Sequence, residues 1–157
     1  MEFLSTIERS AFFTWVREDS SLWAYPGIRF IHTVGLAIVV GLSTMINLRV
    51  LGFARTLPMA PLERYFPIIW AGFWINAISG TILLAADATM KLANPAFGVK
   101  MVLIALAAVN LILMRSAVFH DRHLNAPVSG RGKRLAAVSL LLWFGAIAAG
   151  RLMALNP

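Results

Sequence analysis

Four stretches of this chain run for twenty or more residues almost without charge. That is the length of helix needed to cross about 30 Å of hydrocarbon. They are predicted over residues 26–53, 65–90, 95–119 and 134–155. A backbone in lipid has no water to satisfy its N–H and C=O groups, so each stretch must be a helix. Pro26 and Pro95 stand at helix starts, where the missing N–H of proline costs nothing. Short connections between antiparallel neighbours then give an all-α, up-down bundle of four transmembrane helices. Residues 1–157 form one integral membrane domain, with residues 1–25 as an interfacial segment. Composition agrees: 59% of residues are hydrophobic and 13% charged, too little polar cover for a soluble chain of this size.

The formal net charge is +7, and its distribution follows the membrane rather than a nucleic acid. Arg49, Arg55, Arg64, Arg115, Arg122, Arg131, Lys133 and Arg134 fall on one side of the spans. Arg9, Arg17, Arg29, Lys91, Lys100 and Arg151 fall on the other, with most of the acidic residues. The richer side is expected to be cytoplasmic, which puts both termini outside, periplasmic in a bacterial inner membrane. "RGKR" at 131–134 is expected to anchor span four at the headgroups, with no nucleic-acid partner. The start, "MEFLSTIERS", does not have the basic-then-apolar pattern of a cleaved signal peptide. Cysteine is absent, which excludes disulfides and thiolate metal sites.

Before span one, Leu4, Ile7, Ala11, Phe12 and Trp15 recur at three- and four-residue steps. This predicts an amphipathic helix lying on membrane lipid, with a lid over the outer mouth of the bundle as the alternative. Trp23 and Tyr25 are expected at headgroup depth. Within the spans, Ser43, Thr44, Asn47, Asn76, Ser79, Asn110 and Ser139 are expected to hydrogen-bond between helices. Gly72, Ala77, Gly80 and the pairs Gly145/Ala149 and Ala146/Gly150 offer close-approach surfaces. These suit internal packing, a homo-oligomer or a larger membrane complex equally.

The ionisable residues of the spans gather at one depth. Arg29 and His32 lie near the outer end of span one, Asp87 and Lys91 at the outer end of span two. Lys100 lies about one turn into span three and Arg151 about one turn from the end of span four. Charges at such depth face a bundle interior or cavity, unless they snorkel to the headgroups. Asp87 is the single carboxylate of the layer and is expected to neutralise Lys91 or Lys100, with Glu18 and Asp19 reaching in from the entrance. The remaining positive charge calls for an anion or an acceptor. Haem propionates, a lipid phosphate, a partner's carboxylate and a quinone oxygen all have that chemistry.

His32 is either a structural hydrogen-bonding residue or a ligand. His120 and His123 lie at the far end of span three, too distant to share an iron with it, and beside Asp121 they form either a solvated loop or a surface metal site. As a haem ligand His32 would pair with its copy in a homodimer, with Met90, Met101 or Met153, or leave iron five-coordinate. With the same methionines it would suit Cu(I). No hydrolytic constellation is present, and turnover by this chain alone is not expected.

The segments "HTVGLAIVVGLSTMINLRVLG", "WAGFWINAISGTILLAADATMKLANPAFGVK" and "AGRLMA", with "WVREDSSLWAYP" before them, cover most of the chain. Together they resemble an uncharacterised family of small bacterial four-helix membrane proteins, of the domain-of-unknown-function kind. More loosely the bundle is similar to the grouping of copper resistance protein D and the di-haem cytochromes b. The chain lacks the paired span histidines of those cytochromes. The looser resemblance therefore implies a ligand role for His32 alone, with Arg151 and Lys100 near propionates. The expectation is a small redox-associated membrane protein holding haem b or a quinone in its outer half. The alternative is a non-catalytic anchor or accessory subunit that docks a partner protein or lipid, and copper handling ranks below both.

Overall fold

The computed structural model describes residues 10–19, 21–53, 55–120 and 128–155. Four helices in it are long and apolar enough to cross a membrane, and the fold is an all-α bundle as expected. A short helix, α1 (Ala11–Glu18), leads into the first span, α2 (Tyr25–Leu51). A 3₁₀ turn (Ala60–Tyr65) precedes the second, α3 (Phe66–Ala86). A two-turn helix, α4 (Ala88–Ala93), connects to the third span, α5 (Pro95–Arg115), which ends in a π-helical turn (Ser116–His120). The fourth span is α6 (Gly130–Leu155).

The helix ends have local causes. Pro26, Pro67 and Pro95 occupy first-turn positions. Asn94 caps α5, its side chain accepting the Ala96 N–H at 3.0 Å. Gly52 stops α2 in the left-handed region at φ 100°, its N–H returning to the Leu48 and Arg49 carbonyls. α6 starts four residues earlier than its apolar run predicts, because Ser129 caps it and accepts the Gly132 N–H at 3.2 Å.

The second span is not the continuous helix predicted to residue 90. It breaks at Asp87, whose backbone leaves the helical region at φ −138°, ψ 46°. Two cations cover carbonyls near the broken end. Lys91 reaches back to the Leu83 carbonyl, and Arg17 of α1 donates to the Ala86 carbonyl at 3.3 Å. Cations at a helix C-terminus also meet the negative end of its dipole. α1 thereby rests on the end of α3, with Val16 fully buried and Trp15 partly exposed. Leu4 and Ile7 of the expected amphipathic helix lie outside the described residues.

Side chains on all sides of the spans are apolar, so contact is decided by small residues and polar pairs. α2 lies along α3, α5 along α6, and α2 also meets α6. At the α2–α3 crossing a Cβ on Gly35 would stand 2.9 Å from both the Asn76 nitrogen and the Gly72 oxygen, so glycine is required for the approach. Asn47 donates to Ser139 Oγ at 2.9 Å, tying α2 to α6, and Asn110 donates to the Leu135 carbonyl at 3.0 Å, tying α5 to α6. Ser43 Oγ, Asn47 Oδ1, Asn110 Oδ1 and Trp143 Nε1 are buried without a partner among the described residues.

The bundle is filled at one end and open at the other. The end that carries the helix termini at Leu51, Phe66, Arg115 and Gly130 is here the basic face; the end at Tyr25, Ala86, Pro95 and Leu155 is the terminal face. The buried core, including Val39, Ile46, Phe66, Ile69, Leu111, Met114 and Trp143, lies toward the basic face. There Phe66 and Phe119 meet edge to face at 5.4 Å, and Arg115 lies over the Phe66 ring while pairing with Glu63 at 3.5 Å. Toward the terminal face α3 and α5 make no extended interface, and space opens between the spans.

Candidate functional site

That space is a cavity of about 390 Å³, within the range of small-molecule sites. All four spans and α4 contribute to its wall: Tyr25, Arg29, His32 and Thr33 from α2, Gly80, Leu83 and Leu84 from α3, Met90 and Lys91 from α4, Phe97 and Lys100 from α5, Gly150 and Met153 from α6. Asp87 and Asn94 flank α4 on the same wall. By helical rise His32, Gly80 and Lys100 each lie about 7–11 Å from the terminal end of their helix, so they meet at one level.

His32 is held from α3. Its Nδ1 lies 3.0 Å from the Asn76 carbonyl oxygen and 3.1 Å from Ser79 Oγ. The carbonyl can only accept. The Ser79 hydroxyl is directed to the Ile75 carbonyl at 2.6 Å, so it too accepts from the ring. The neutral imidazole therefore carries its hydrogen on Nδ1 and keeps the lone pair on Nε2. Asn76 reinforces the grip, its amide donating to the His32 backbone oxygen at 2.8 Å and standing 3.5 Å from Nε2. Gly80 makes room: a Cβ there would come within 2.9 Å of His32 Cε1. Asn76 and Ser79 serve as interhelical hydrogen-bonding residues, as expected, and together they also orient the histidine.

Charge in the cavity is unbalanced. Asp87 takes Lys91 at 2.9 Å, which settles which lysine it neutralises. Lys91 also stands 5.8 Å above the Tyr25 ring. Lys100 is half-buried and takes part in none of the ion pairs among the described residues, which are Arg17–Glu18, Asp87–Lys91 and Arg115–Glu63. Its alkyl stem lies along α6, with Cδ, Cε and Nζ each 3.7 Å from where Gly150 would carry a Cβ. Arg29 is exposed at the rim. Three cations and one carboxylate thus line the space, an excess of two positive charges.

Several expectations are corrected. Arg151 points outward, is exposed and lines neither of the two cavities described here, because its neighbours Gly150 and Met153 occupy the inward face of α6. Glu18 and Asp19 do not reach in: Glu18 pairs with Arg17 at 3.2 Å, and Asp19 turns onto the Ser21 N–H at 2.6 Å. The hydroxyl and N–H of Ser21 hold the Asp19 carboxyl below its ordinary range. Met90 and Met153 line the cavity, Met90 largely exposed, while Met101 lies on a neighbouring cleft. Asp121 and His123 lie outside the described residues. No cluster of three or more His, Asp or Glu residues able to hold a metal occurs among the described residues.

That neighbouring cleft, about 180 Å³, runs between α3 and α5. It shares His32, Gly80, Leu84, Phe97 and Lys100 with the main cavity and continues along Ala77, Thr81, Met101 and Ile104 to Phe73. Sequence reasoning missed it, along with the roles of Tyr25, Gly80 and Phe97. Phe97 and Gly80 do sit at helical spacing from Lys100 and Asn76, a signal open to reading once the facing surfaces are known. Comparison with known proteins adds no identity: no family model, no curated protein and no solved structure matches the chain.

Proposed function

We propose that this protein is a small redox-associated membrane protein that holds a quinone head group in its terminal-face cavity. One observation carries the proposal: Lys100, in none of the ion pairs among the described residues, and His32, held through Nδ1 by Asn76 and Ser79, line one cavity at the same depth. A quinone carbonyl accepts from Lys100, and a quinol hydroxyl donates to His32 Nε2. The low-dielectric setting strengthens both bonds, and charge assistance from the ammonium adds to one of them. Leu83, Leu84 and Phe97 supply apolar wall for the ring. The chain binds and positions; the electrons come from a partner in the membrane. The bacterial inner membrane, with both termini periplasmic, fits the distribution of basic residues.

A second reading, haem b, has its own support. A metal-ligating histidine commonly gives its other ring N–H to a carbonyl, as His32 does with Asn76. Met153 lies on the same wall, and Arg29 and Lys100 could meet propionates. Haem would supply one-electron transfer at iron.

Spectroscopy separates the two. The protein is purified in mild detergent and its visible spectrum recorded before and after dithionite. Titration with decyl-ubiquinone is then followed by tryptophan fluorescence. The quinone proposal expects no Soret band and saturable quenching, with His32→Ala and Lys100→Met each weakening binding by roughly tenfold to a hundredfold, the worth of a hydrogen bond to a charged or fixed group. Arg151→Gln should bind as wild type does. A Soret band lost in His32→Ala establishes haem instead. A colourless protein with no saturable quenching overturns both, leaving the anchor or accessory subunit, which docks a partner or lipid through its basic residues.

A further inference from the structure

We propose that the cleft between α3 and α5 is a portal to the bilayer that seats the polyprenyl tail of a lipid-soluble quinone while the head lies in the main cavity. The proposal deepens the quinone reading and rests on it for the identity of the occupant.

Three observations lead to it. The cleft is continuous with the head-group cavity, because His32, Gly80, Leu84, Phe97 and Lys100 belong to both walls. It lies between two spans that make no extended interface: α2 packs against α3 and α6, and α5 against α6, while α3 meets the end of α5 and its π-helical turn near the basic face through Phe66, Arg115 and Phe119, and α4 links the two spans at the terminal face. Its lining beyond the shared residues is largely apolar, and the Asn76 amide on it is turned onto the His32 backbone oxygen at 2.8 Å. Phe73, Ala77, Met101 and Ile104 present hydrocarbon or thioether, and the Thr81 hydroxyl donates to its own Ala77 carbonyl at 2.9 Å, which satisfies its hydrogen.

Depth supports the same occupant. The cleft starts near the terminal ends of α3 and α5, at Leu84 and Phe97, and extends toward the bilayer centre past Lys100 and Met101 to Ile104. A water-soluble anion would have to approach through the rim at Arg29 and Lys91, and it has no use for an apolar extension. An amphiphile with an acceptor head and a hydrocarbon tail fits both chambers at once, head on Lys100 and His32, tail along Phe97, Met101 and Ile104. A ligand of that class is already dissolved in the bilayer, so a lateral door shortens its path and spares its tail from water.

Two experiments test the portal. In the first, wild type and the cleft-filling variants Ala77→Phe and Ile104→Phe are titrated with a tail-less dimethoxy-dimethyl-benzoquinone and with decyl-ubiquinone in the same detergent. Wild type should prefer the tailed compound by roughly tenfold or more, since each buried methylene adds to transfer free energy. Both variants should lose that preference while binding the tail-less compound normally. A preference that survives both substitutions, or is missing in wild type, overturns the seat for the tail. His32→Ala should weaken both compounds alike, which marks a failure of the head site separately.

The second needs no quinone. The protein is placed in vesicles of phosphatidylcholine that carry a diazirine midway along one acyl chain, irradiated and digested. An open portal gives adducts on Phe97 and Ala77, which line the cleft and are partly covered, with Thr81→Trp reducing them. Adducts confined to lipid-facing residues such as Ile78 and Val102 would show the door shut and overturn the proposal. A second copy of the chain seated in the cleft would give that result too. Adducts on Phe97 without any quinone binding keep the portal and reject the quinone.

Discussion

His32 Cε1 stands where Gly80 would carry its side chain, 2.9 Å from the position of a Cβ. The imidazole is thus confined by a missing methyl on α3 as well as by its bonds to Asn76 and Ser79. Gly80→Ala should push the ring off the Asn76 carbonyl and out of register with Lys100. We expect a roughly tenfold or greater loss of quinone affinity in fluorescence titration, with about 1–3 kcal/mol of stability lost to overpacking. An unchanged affinity would detach His32 from the site.

Glycine means different things along α2. At Gly35 an added Cβ meets the backbone of α3, which cannot move aside; at Gly41 it meets nothing within 4 Å. Gly35→Ala should lose about 1–3 kcal/mol by forcing α2 from α3. Gly41→Ala should gain about 0.5–1 kcal/mol by removing glycine's backbone freedom from a helix interior. Unfolding in mixed micelles titrated with SDS would rank Gly35→Ala below wild type and Gly41→Ala at or above it.

The Asn47–Ser139 bond joins the first span to the last. In lipid such bonds are worth about 0.6 kcal/mol and seldom as much as 1.7. Asn47 also buries an oxygen with no partner among the described residues, so truncation sheds a cost along with the bond. A double-mutant cycle of Asn47→Ala and Ser139→Ala should therefore give a coupling energy in that low range. A coupling above about 2 kcal/mol would mean that a wider polar network depends on the pair.

Asp19 gives the turn between α1 and α2 a pH dependence. Its folded pKa lies below the ordinary 3.8, so its bonds to Ser21 stabilise the turn above that value. The contribution is lost as pH falls through the depressed folded value. Fluorescence from Trp15, close to Asp19, should be flat from neutrality to about pH 4 and change below it. Asp19→Asn, which has no carboxylate to titrate, should remove that change.

The four spans were legible because twenty uninterrupted apolar residues have one solution in lipid, and the depth of each ionisable residue followed by counting. Rotation about each helix axis was not. Helices apolar on every side give no phase, so Arg151 and Met153, two residues apart, looked equally able to face inward, and the structure admits only Met153. The break in the second span did leave a mark, since Asp87 is a residue suited to starting a helix and Lys91 follows one turn on. Hydropathy carried the run past it. Which pair of spans would stay apart depends on side-chain fit across α3 and α5, and no periodicity in either helix encodes that.

The helix that walls both cavities is gripped at each of its ends. α3 has 21 residues and is about 30 Å long. Phe66 at its start meets Phe119, and Arg17 of the first helix holds the Ala86 carbonyl at its finish, where α4 also ties it to α5. The chain's opening helix is thus moored to the wall of the head-group cavity, and its attachment reports on the same helix that orients the histidine.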